Sequence, residues 1–187
     1  MVSLRPMTAD DLPKVEEWLR LSHVARWWTQ DSTPEQEVVT YRQRVAGTSV
    51  RPTALLLVTS AGAAIGWCQW YRWADFPDAA VGAESSDVGI DFAIGDPSWT
   101  GRGIGTLPVA VLVDEARRHC PGAGAVVVVD AADMASRRML GKNDFVLADV
   151  RPVATKPSSA PMAVYRLTSL EPRPIPRGST RLGRSTS

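Results

Sequence analysis

Apolar residues that recur at three- and four-residue steps predict two helices in the first quarter of the chain. The buried stripe of the first helix begins at Leu12 and runs to about residue 24. Residues 26–29 break this stripe and are predicted to be irregular. Pro34 suits the first turn of the second helix, which Gly47 is expected to end.

From residue 53 the apolar pattern becomes that of strands. Residues 53–59 and 64–70 are expected to pair as an antiparallel hairpin, and residues 88–94 as a further strand. The uninterrupted apolar run 125–130 is typical of a strand buried on both faces. The elements that remain are a helix after the loop 95–105, a helix capped by Asp133, and strands at 145–150 and 163–167. This order predicts an α/β (α+β) domain with a mixed sheet.

Composition indicates one compact soluble domain at residues 1–168. The chain has 187 residues, of which 44% are hydrophobic and 22% charged. Its net charge of +1 is too balanced to indicate a nucleic-acid or membrane surface. Residues 169–187 are rich in Pro, Arg and Ser and lack periodicity, so this tail is predicted to be disordered.

The two cysteines and two histidines do not form a metal-binding or disulfide pattern. Cys68 and Cys120 lie far apart in the sequence and no CxxC motif occurs, so neither a zinc site nor a disulfide framework is expected. No apolar run approaches the roughly 20 residues that span a bilayer, and no leader-like segment opens the chain. These features predict a cytoplasmic protein.

A glycine-rich loop connects the predicted strand 88–94 to the next helix. Gly101, Gly103 and Gly105 remove every second Cβ, which lets backbone N–H groups face an anion where the helix begins. The spacing differs from that of a Walker loop and of the dinucleotide fingerprint. The loop is expected to bind a diphosphate, although glycine-rich turns between a strand and a helix are equally common without a ligand.

Two motifs together resemble the coenzyme A signature of the GNAT superfamily of N-acetyltransferases. The first is Gly-Arg-Gly-Ile-Gly-Thr at 101–106, and the second runs from Asp133 through Ser136 and Leu140 to Phe145. The resemblance implies a GNAT fold, with a mostly antiparallel mixed sheet flanked by helices on both faces, and acetyl-CoA as co-substrate without a metal. The cofactor-binding residues that it implies are Phe92, Ile94, Gly101, Arg102, Gly103, Ile104, Gly105, Thr106, Asp133 and Ser136.

Shorter segments resemble aminoglycoside 6′-N-acetyltransferases. They include Leu4-Arg5-Pro6-Met7-Thr8, Trp27-Trp28, Gln69-x-Tyr71 and Gly89-Ile90-Asp91. The resemblance implies that Asp91 is the base near the acceptor amine. The residues expected to contact the cationic substrate are Trp27, Trp28, Tyr71, Asp78 and Asp130.

The acidic residues before and within the predicted strand 88–94 agree with a cationic acceptor. Residues 75–91 contain five acids, which are Asp75, Asp78, Glu84, Asp87 and Asp91. Asp91 lies within an apolar strand, where an unpaired buried carboxylate would cost several kcal/mol. A structural ion pair is the alternative to a catalytic role. For Asp130, the alternative is a cap on the following turn.

The sequence also departs from the family pattern at three positions. Thr100 stands where the loop usually has Gln or Arg, and Asp144 replaces the usual Gly, which predicts a looser turn. Leu140 stands where many members have a tyrosine that protonates the departing thiolate, so the general acid is undetermined. Tyr71 and Tyr41 are substitutes by residue type only, and solvent is a third source of the proton.

These observations predict an acetyl-CoA-dependent N-acetyltransferase that acts on a primary amine of an aminoglycoside. Two alternatives stay open. One keeps the fold and acylates a lysine-type amine in siderophore assembly. The other is a catalytically silent protein that binds CoA or an aminoglycoside. The expected partner is a small cationic amine, with no nucleic acid or membrane, and the expected state is a monomer or homodimer.

Overall fold

The chain folds around one seven-stranded mixed sheet. The structure, a computed structural model, describes residues 2–28, 32–76, 82–101, 106–152 and 161–168. Neighbouring strands pair in the order β1-β2-β3-β4-β5-β7-β6, and all neighbours are antiparallel except β4 and β5. The strands are β1 (Val2–Pro6), β2 (Ala54–Ser60), β3 (Ala63–Arg72), β4 (Val88–Ile94), β5 (Ala125–Asp130), β6 (Val146–Arg151) and β7 (Met162–Leu167). The predicted mixed, mostly antiparallel sheet is confirmed.

Three α-helices, rather than the predicted two, precede the hairpin. Among the described residues the α-helices are α1 (Leu12–Leu19), α2 (Ser22–Trp28), α3 (Pro34–Val45), α4 (Thr106–His119) and α5 (Met134–Lys142). The apolar stripe crosses a break between α1 and α2, where Leu21 N–H bonds the carbonyl of Trp18 in a tight turn. The stripe persists because both helices pack on the same core. The prediction that residues 26–28 are irregular was wrong, since they end α2.

Helices cover both faces of the sheet, as predicted. Alternate residues of β2 point to opposite faces, so that Leu55 and Leu57 pack with α1, α2 and α3. Leu56 and Val58 pack with α4 and α5 in a second core. The tail at 169–187 lies outside the described residues.

The sheet opens between its only parallel pair of strands. Pairing of β4 with β5 is limited to Val88 with Ala125 and Gly89 with Val126. Beyond these residues β4 stays paired with β3 up to Ile94, whereas β5 stays paired with β7 up to Asp130. Because β4 remains paired with β3 and β5 remains paired with β7, the two strands separate while both stay hydrogen-bonded within the sheet.

The turn after α5 is closed, and the prediction of a looser turn at Asp144 was wrong. Asp144 adopts the left-handed conformation with φ of 65°. The N–H of Phe145 bonds the carbonyl of Leu140 at 3.1 Å, and the N–H of Asp144 bonds that of Gly141 at 3.3 Å. This is a Schellman motif, in which an aspartate replaces the glycine that usually occupies the left-handed position.

An ion pair connects β1 to the turn before α1. Asp11 accepts two 2.7 Å bonds from the Arg5 guanidinium and a 2.8 Å bond from the N–H of Thr8. These bonds, the Arg5 bond first, lower the pKa of Asp11 to about 2. The depressed pKa means that the stabilisation is present above pH 4 and is lost as the pH falls towards 2.

We expect Asp11→Asn to lower the free energy of unfolding by about 1 kcal/mol at pH 7. The effect is modest because solvent around the half-exposed Arg5 side chain screens the ion pair. The difference from wild type should shrink as the pH falls from about 4 to about 2 in urea titrations. Glu17→Gln, which removes an exposed partner of Lys14, is the control and should change stability by less than about 0.5 kcal/mol. A difference independent of pH would contradict this account.

Candidate active site

Two adjoining cavities lie at the opening between β4 and β5. The first has a volume of about 480 Å³ and extends along α5, and the second has a volume of about 290 Å³ and extends towards α3 and β5. We call them the α5 cavity and the α3 cavity. Both are lined by Trp27, Trp28, Phe92, Asp133 and Ser136. These shared residues form the border between the two cavities, which we together call the cleft.

The α5 cavity carries a positive end. One face of α5 lines it, because residues 135, 138, 139 and 142 recur at three- and four-residue steps. Two of these residues are cationic, Arg138 and Lys142, and both are exposed. Their charges suit the phosphate groups of a nucleotide-like ligand. Neither residue was predicted to contact the cofactor, although Lys142 belongs to the motif at 133–145 and their spacing on the predicted helix was a usable signal.

Several predicted cofactor residues line the α5 cavity. Phe92 and Ile94 reach it from the end of β4, and Thr106 reaches it from the first residue of α4. Gly101, at a φ of 70°, forms its rim before the glycine-rich loop. The remaining predicted residues of this loop, Arg102, Gly103, Ile104 and Gly105, lie outside the described residues.

The start of α5 explains the placement of Asp133 and Ser136. Asp133 is the N-cap, and its carboxylate accepts a 3.1 Å bond from the Ser136 N–H and a 2.6 Å bond from the Ser136 hydroxyl. Asp133 is buried, and its negative charge lies at the positive end of the helix dipole. The pair therefore forms a rigid corner at the junction of the two cavities.

The α3 cavity is acidic. Among the described residues that line it, four are carboxylates and one, Arg44, is cationic. The carboxylates come from three elements and one helix cap, and they are Glu37, Asp91, Asp130 and Asp133. Such a concentration of negative charge between apolar walls attracts a cationic ligand. Glu37 was missed by the sequence analysis because nothing in its local pattern distinguishes it from an exposed helix residue.

Asp91 lies on the wall of the α3 cavity. It is half-buried on β4 directly opposite Gln69 of β3, and the two side chains share one face of the sheet. The Gln69 amide donates a 2.7 Å bond to Asp91 Oδ2. The oxygen of the same amide accepts a 2.6 Å bond from Arg44 Nη1. Asp91 is therefore held in place by a polar chain that begins on α3.

Asp130 caps the turn after β5 and also borders the α3 cavity, so the structure is compatible with both interpretations of this residue. Its Oδ1 accepts a 2.8 Å bond from the N–H of Ala132, which caps the turn after β5. Its side chain also lines the α3 cavity. Asp130 and Asp91 come from the two parted strands, so the opening of the sheet brings their charges into one space.

The tryptophan pair at the end of α2 forms a wall of both cavities. Trp28 packs edge-on against Trp67 with ring centroids 5.0 Å apart, and its indole N–H donates a 2.5 Å bond to the Tyr41 hydroxyl. Trp27 is covered on one side by the Arg26 guanidinium, 4.7 Å from the ring centroid. Helical geometry therefore lets both adjacent rings border the cleft.

The structure places Tyr71, and the described acids of the stretch 75–91 other than Asp91, away from the two cavities. Tyr71 lines neither cavity, since its ring covers Gly89 and packs against Trp73 and Phe76. The acidic stretch 75–91 contributes only Asp91 to the described cleft, because Asp87 is buried in an ion pair with Arg166. Asp78 lies outside the described residues.

The structure favours neither Tyr41 nor Tyr71 as the proton donor. Burial raises the pKa of Tyr41 far above its ordinary value, and burial followed by the charge of Asp91 raises that of Tyr71. A raised pKa makes each phenol a weaker acid towards a thiolate. Leu140 is fully buried in the core, and it lines neither cavity.

Two further searches of the described ranges gave negative results. No helix there has the length and apolar character needed to cross a membrane. Within the same parts of the chain, no three His, Cys, Asp or Glu side chains are grouped so that they could hold a metal ion.

Known proteins match this chain in sequence and fold. The acetyltransferase (GNAT) domain family matches residues 7–150. The aminoglycoside N(6′)-acetyltransferases type 1 of Klebsiella pneumoniae and Serratia marcescens are 31% identical over 125 residues. This alignment covers 60% of this chain and 58% of theirs, which is less than two thirds of the length of these relatives.

Solved structures share the whole architecture. Aminoglycoside acetyltransferase AAC(6′)-Ib with coenzyme A superposes with a TM-score of 0.77 at 24% identity, over 90% of this chain and 95% of that one. The same protein with coenzyme A and kanamycin superposes with a TM-score of 0.76, at the same identity and coverage. These likenesses confirm the predicted fold.

Proposed function

Since the chain belongs to the GNAT acetyltransferase family, we propose that it is an acetyl-CoA-dependent N-acetyltransferase that acetylates an aminoglycoside, at the 6′-amino group. The observation that carries this proposal is that two cavities of opposite charge lie side by side and share lining residues. A cationic end on α5 suits a phosphate-bearing donor, and an acidic α3 cavity suits a polycationic acceptor. The two meet between the parted strands, where a group could pass from one ligand to the other.

The residues of the α5 cavity fit acetyl-CoA. Arg138 and Lys142 would hold its anionic groups, and Phe92 to Ile94 of β4 would flank its extended arm. Acetyl-CoA, when bound, supplies an acetyl thioester that a neutral amine can attack. This fit rests on the charge and placement of the described side chains.

The residues of the α3 cavity would prepare the acceptor. An ammonium group is not a nucleophile, so it must lose a proton before it attacks. Asp91 lines the α3 cavity from β4, the strand whose residues Phe92 and Ile94 line the α5 cavity. We assign to it the removal of that proton, directly or through water. Glu37 and Asp130 would hold the remaining ammonium groups of the substrate.

The acceptor class is tested with the full chain and a panel of amines. We expect release of CoA, measured as free thiol, to be at least about tenfold faster with kanamycin or tobramycin than with hydroxylysine. Mass spectrometry and NMR of the product should place the acetyl group on the 6′-amine. Faster turnover of hydroxylysine would favour the siderophore-type alternative. Thermal stabilisation by acetyl-CoA with no release for any amine would favour a silent binder.

We further propose that the protein works in the cytoplasm. Cys68 and Cys120 are free thiols, and burial raises the pKa of Cys68 well above its ordinary value. Unpaired cysteines are typical of proteins that stay in a reducing compartment. Fractionation of the producing cells tests this location.

A further inference from the structure

The α3 cavity contains one feature that a site for a polycation does not require. Arg44 places a positive charge on its wall, where it repels a cationic acceptor. Its Nη1 is directed to the Gln69 amide oxygen at 2.6 Å. It also lies over the Tyr41 ring, 5.7 Å from the centroid. This repulsion would weaken binding of the acceptor, so we infer that Arg44 makes another contribution to the site that outweighs it.

Arg44 determines which way the Gln69 amide faces. A guanidinium group has donors and no acceptor, so the amide group that faces it must be the carbonyl oxygen. The amide nitrogen is then directed to Asp91 Oδ2, to which it donates at 2.7 Å. Gln69 is itself buried, which makes a reversal of the amide costly because it would set donor against donor.

We propose that Arg44 and Gln69 are positioning residues that hold the Asp91 carboxylate for proton transfer. This inference rests on the proposed function, in which Asp91 is the base. The charge of Arg44 polarises the Gln69 amide, and the amide fixes one oxygen of the Asp91 carboxylate. Arg44 thus compensates for the negative charges around Asp91 through the Gln69 amide.

Other charged and titratable groups surround Asp91 from each neighbouring element. Glu37 lines the same cavity from α3, Asp130 from β5 and Asp133 from the cap of α5. Tyr71 of β3 is close enough for the charge of Asp91 to raise its pKa. All three carboxylates disfavour a further negative charge, whereas the cation at Arg44 and the amide donor of Gln69 favour the ionised carboxylate.

Arg44→Met tests the proposal, with kanamycin as acceptor. We expect kcat to fall about tenfold because Asp91 loses its fixed orientation. The acidic limb of the pH profile of kcat/KM should move to higher pH by about half a unit, because the carboxylate loses stabilisation. The KM for kanamycin should stay within about threefold of wild type. Arg44→Lys should restore part of kcat.

Arg42→Met is the matched control. Arg42 is exposed, lies in the same last turn of α3, and lines neither cavity. The substitution removes the same charge from the same helix, so kcat and the pH profile should equal those of wild type. Gln69→Met supplies an independent measurement, and it should reproduce the loss in kcat with Arg44 intact. Thermal stabilisation by acetyl-CoA should be the same in every variant.

Asp91→Asn separates this inference from the proposed function. In an Asp91→Asn background, Arg44→Met should have no further effect on kcat, since the two act through one carboxylate. If Asp91→Asn lowers kcat about a hundredfold and the two effects are additive, the positioning role is wrong and the proposed function stands. If Asp91→Asn turns over kanamycin normally, Asp91 is not the base and the positioning role fails with it, while the proposed acetylation stands. A lower KM with unchanged kcat in Arg44→Met would show that Arg44 only repels the acceptor, and would overturn the inference.

Discussion

Asp91→Asn is expected to lower kcat with kanamycin by at least about a hundredfold, because an amide cannot take the proton of the acceptor ammonium. The substitution keeps the size of the side chain, and its carbonyl oxygen can still accept the bond from Gln69. Affinity for acetyl-CoA should change little, since Asp91 lines only the α3 cavity. Steady-state thiol release measures the first quantity, and acetyl-CoA titration measures the second.

Asp114→Asn is the control for this result. Asp114 carries the same chemical group on the exposed side of α4 and lines neither cavity, so its variant should turn over like wild type. Near-normal turnover of Asp91→Asn would remove Asp91 from the mechanism. Equal losses in kcat for both variants would point to a general effect of charge rather than to a base at position 91.

Gly66→Ala is expected to lower the free energy of unfolding by about 3 kcal/mol, which is at the upper end of overpacking effects. A Cβ at position 66 would lie 2.2 Å from the Ala93 carbonyl oxygen and 3.0 Å from Ile94 Cα. Both are backbone atoms of β4, opposite β3 in the sheet, so the strands must separate to admit a methyl group. Urea denaturation followed by tryptophan fluorescence measures the change.

The same substitution should weaken acetyl-CoA binding, because Ala93 and Ile94 line the α5 cavity. Gly141→Ala is the control. No atom lies within 4 Å of a Cβ built at position 141 in α5, so alanine there should raise stability by up to about 1 kcal/mol. A loss below about 1 kcal/mol for Gly66→Ala would mean that β4 shifts more easily than its pairing with β3 indicates.

Local patterns were sufficient for most of the elements. Strands β4 and β5 coincide with their predicted limits, since their apolar runs have clear polar or glycine boundaries. The hairpin of β2 and β3 turns at Ala61 and Gly62, both at positive φ, between the two strands that the apolar pattern predicted. The boundary between α1 and α2 was missed because the apolar stripe does not reveal a turn that keeps the same buried face.

The sequence by itself determined the glycine-rich loop, the cap at Asp133 and an acid within an apolar strand, because each depends on residues close together in the chain. Only the tertiary structure decided which charges meet. Register brings Gln69 opposite Asp91, and packing of α3 on the sheet brings Arg44 and Glu37 to the same cavity. These contacts join residues more than twenty positions apart in the chain. The apolar periodicity of a single helix or strand does not indicate which distant side chains will line the same cavity.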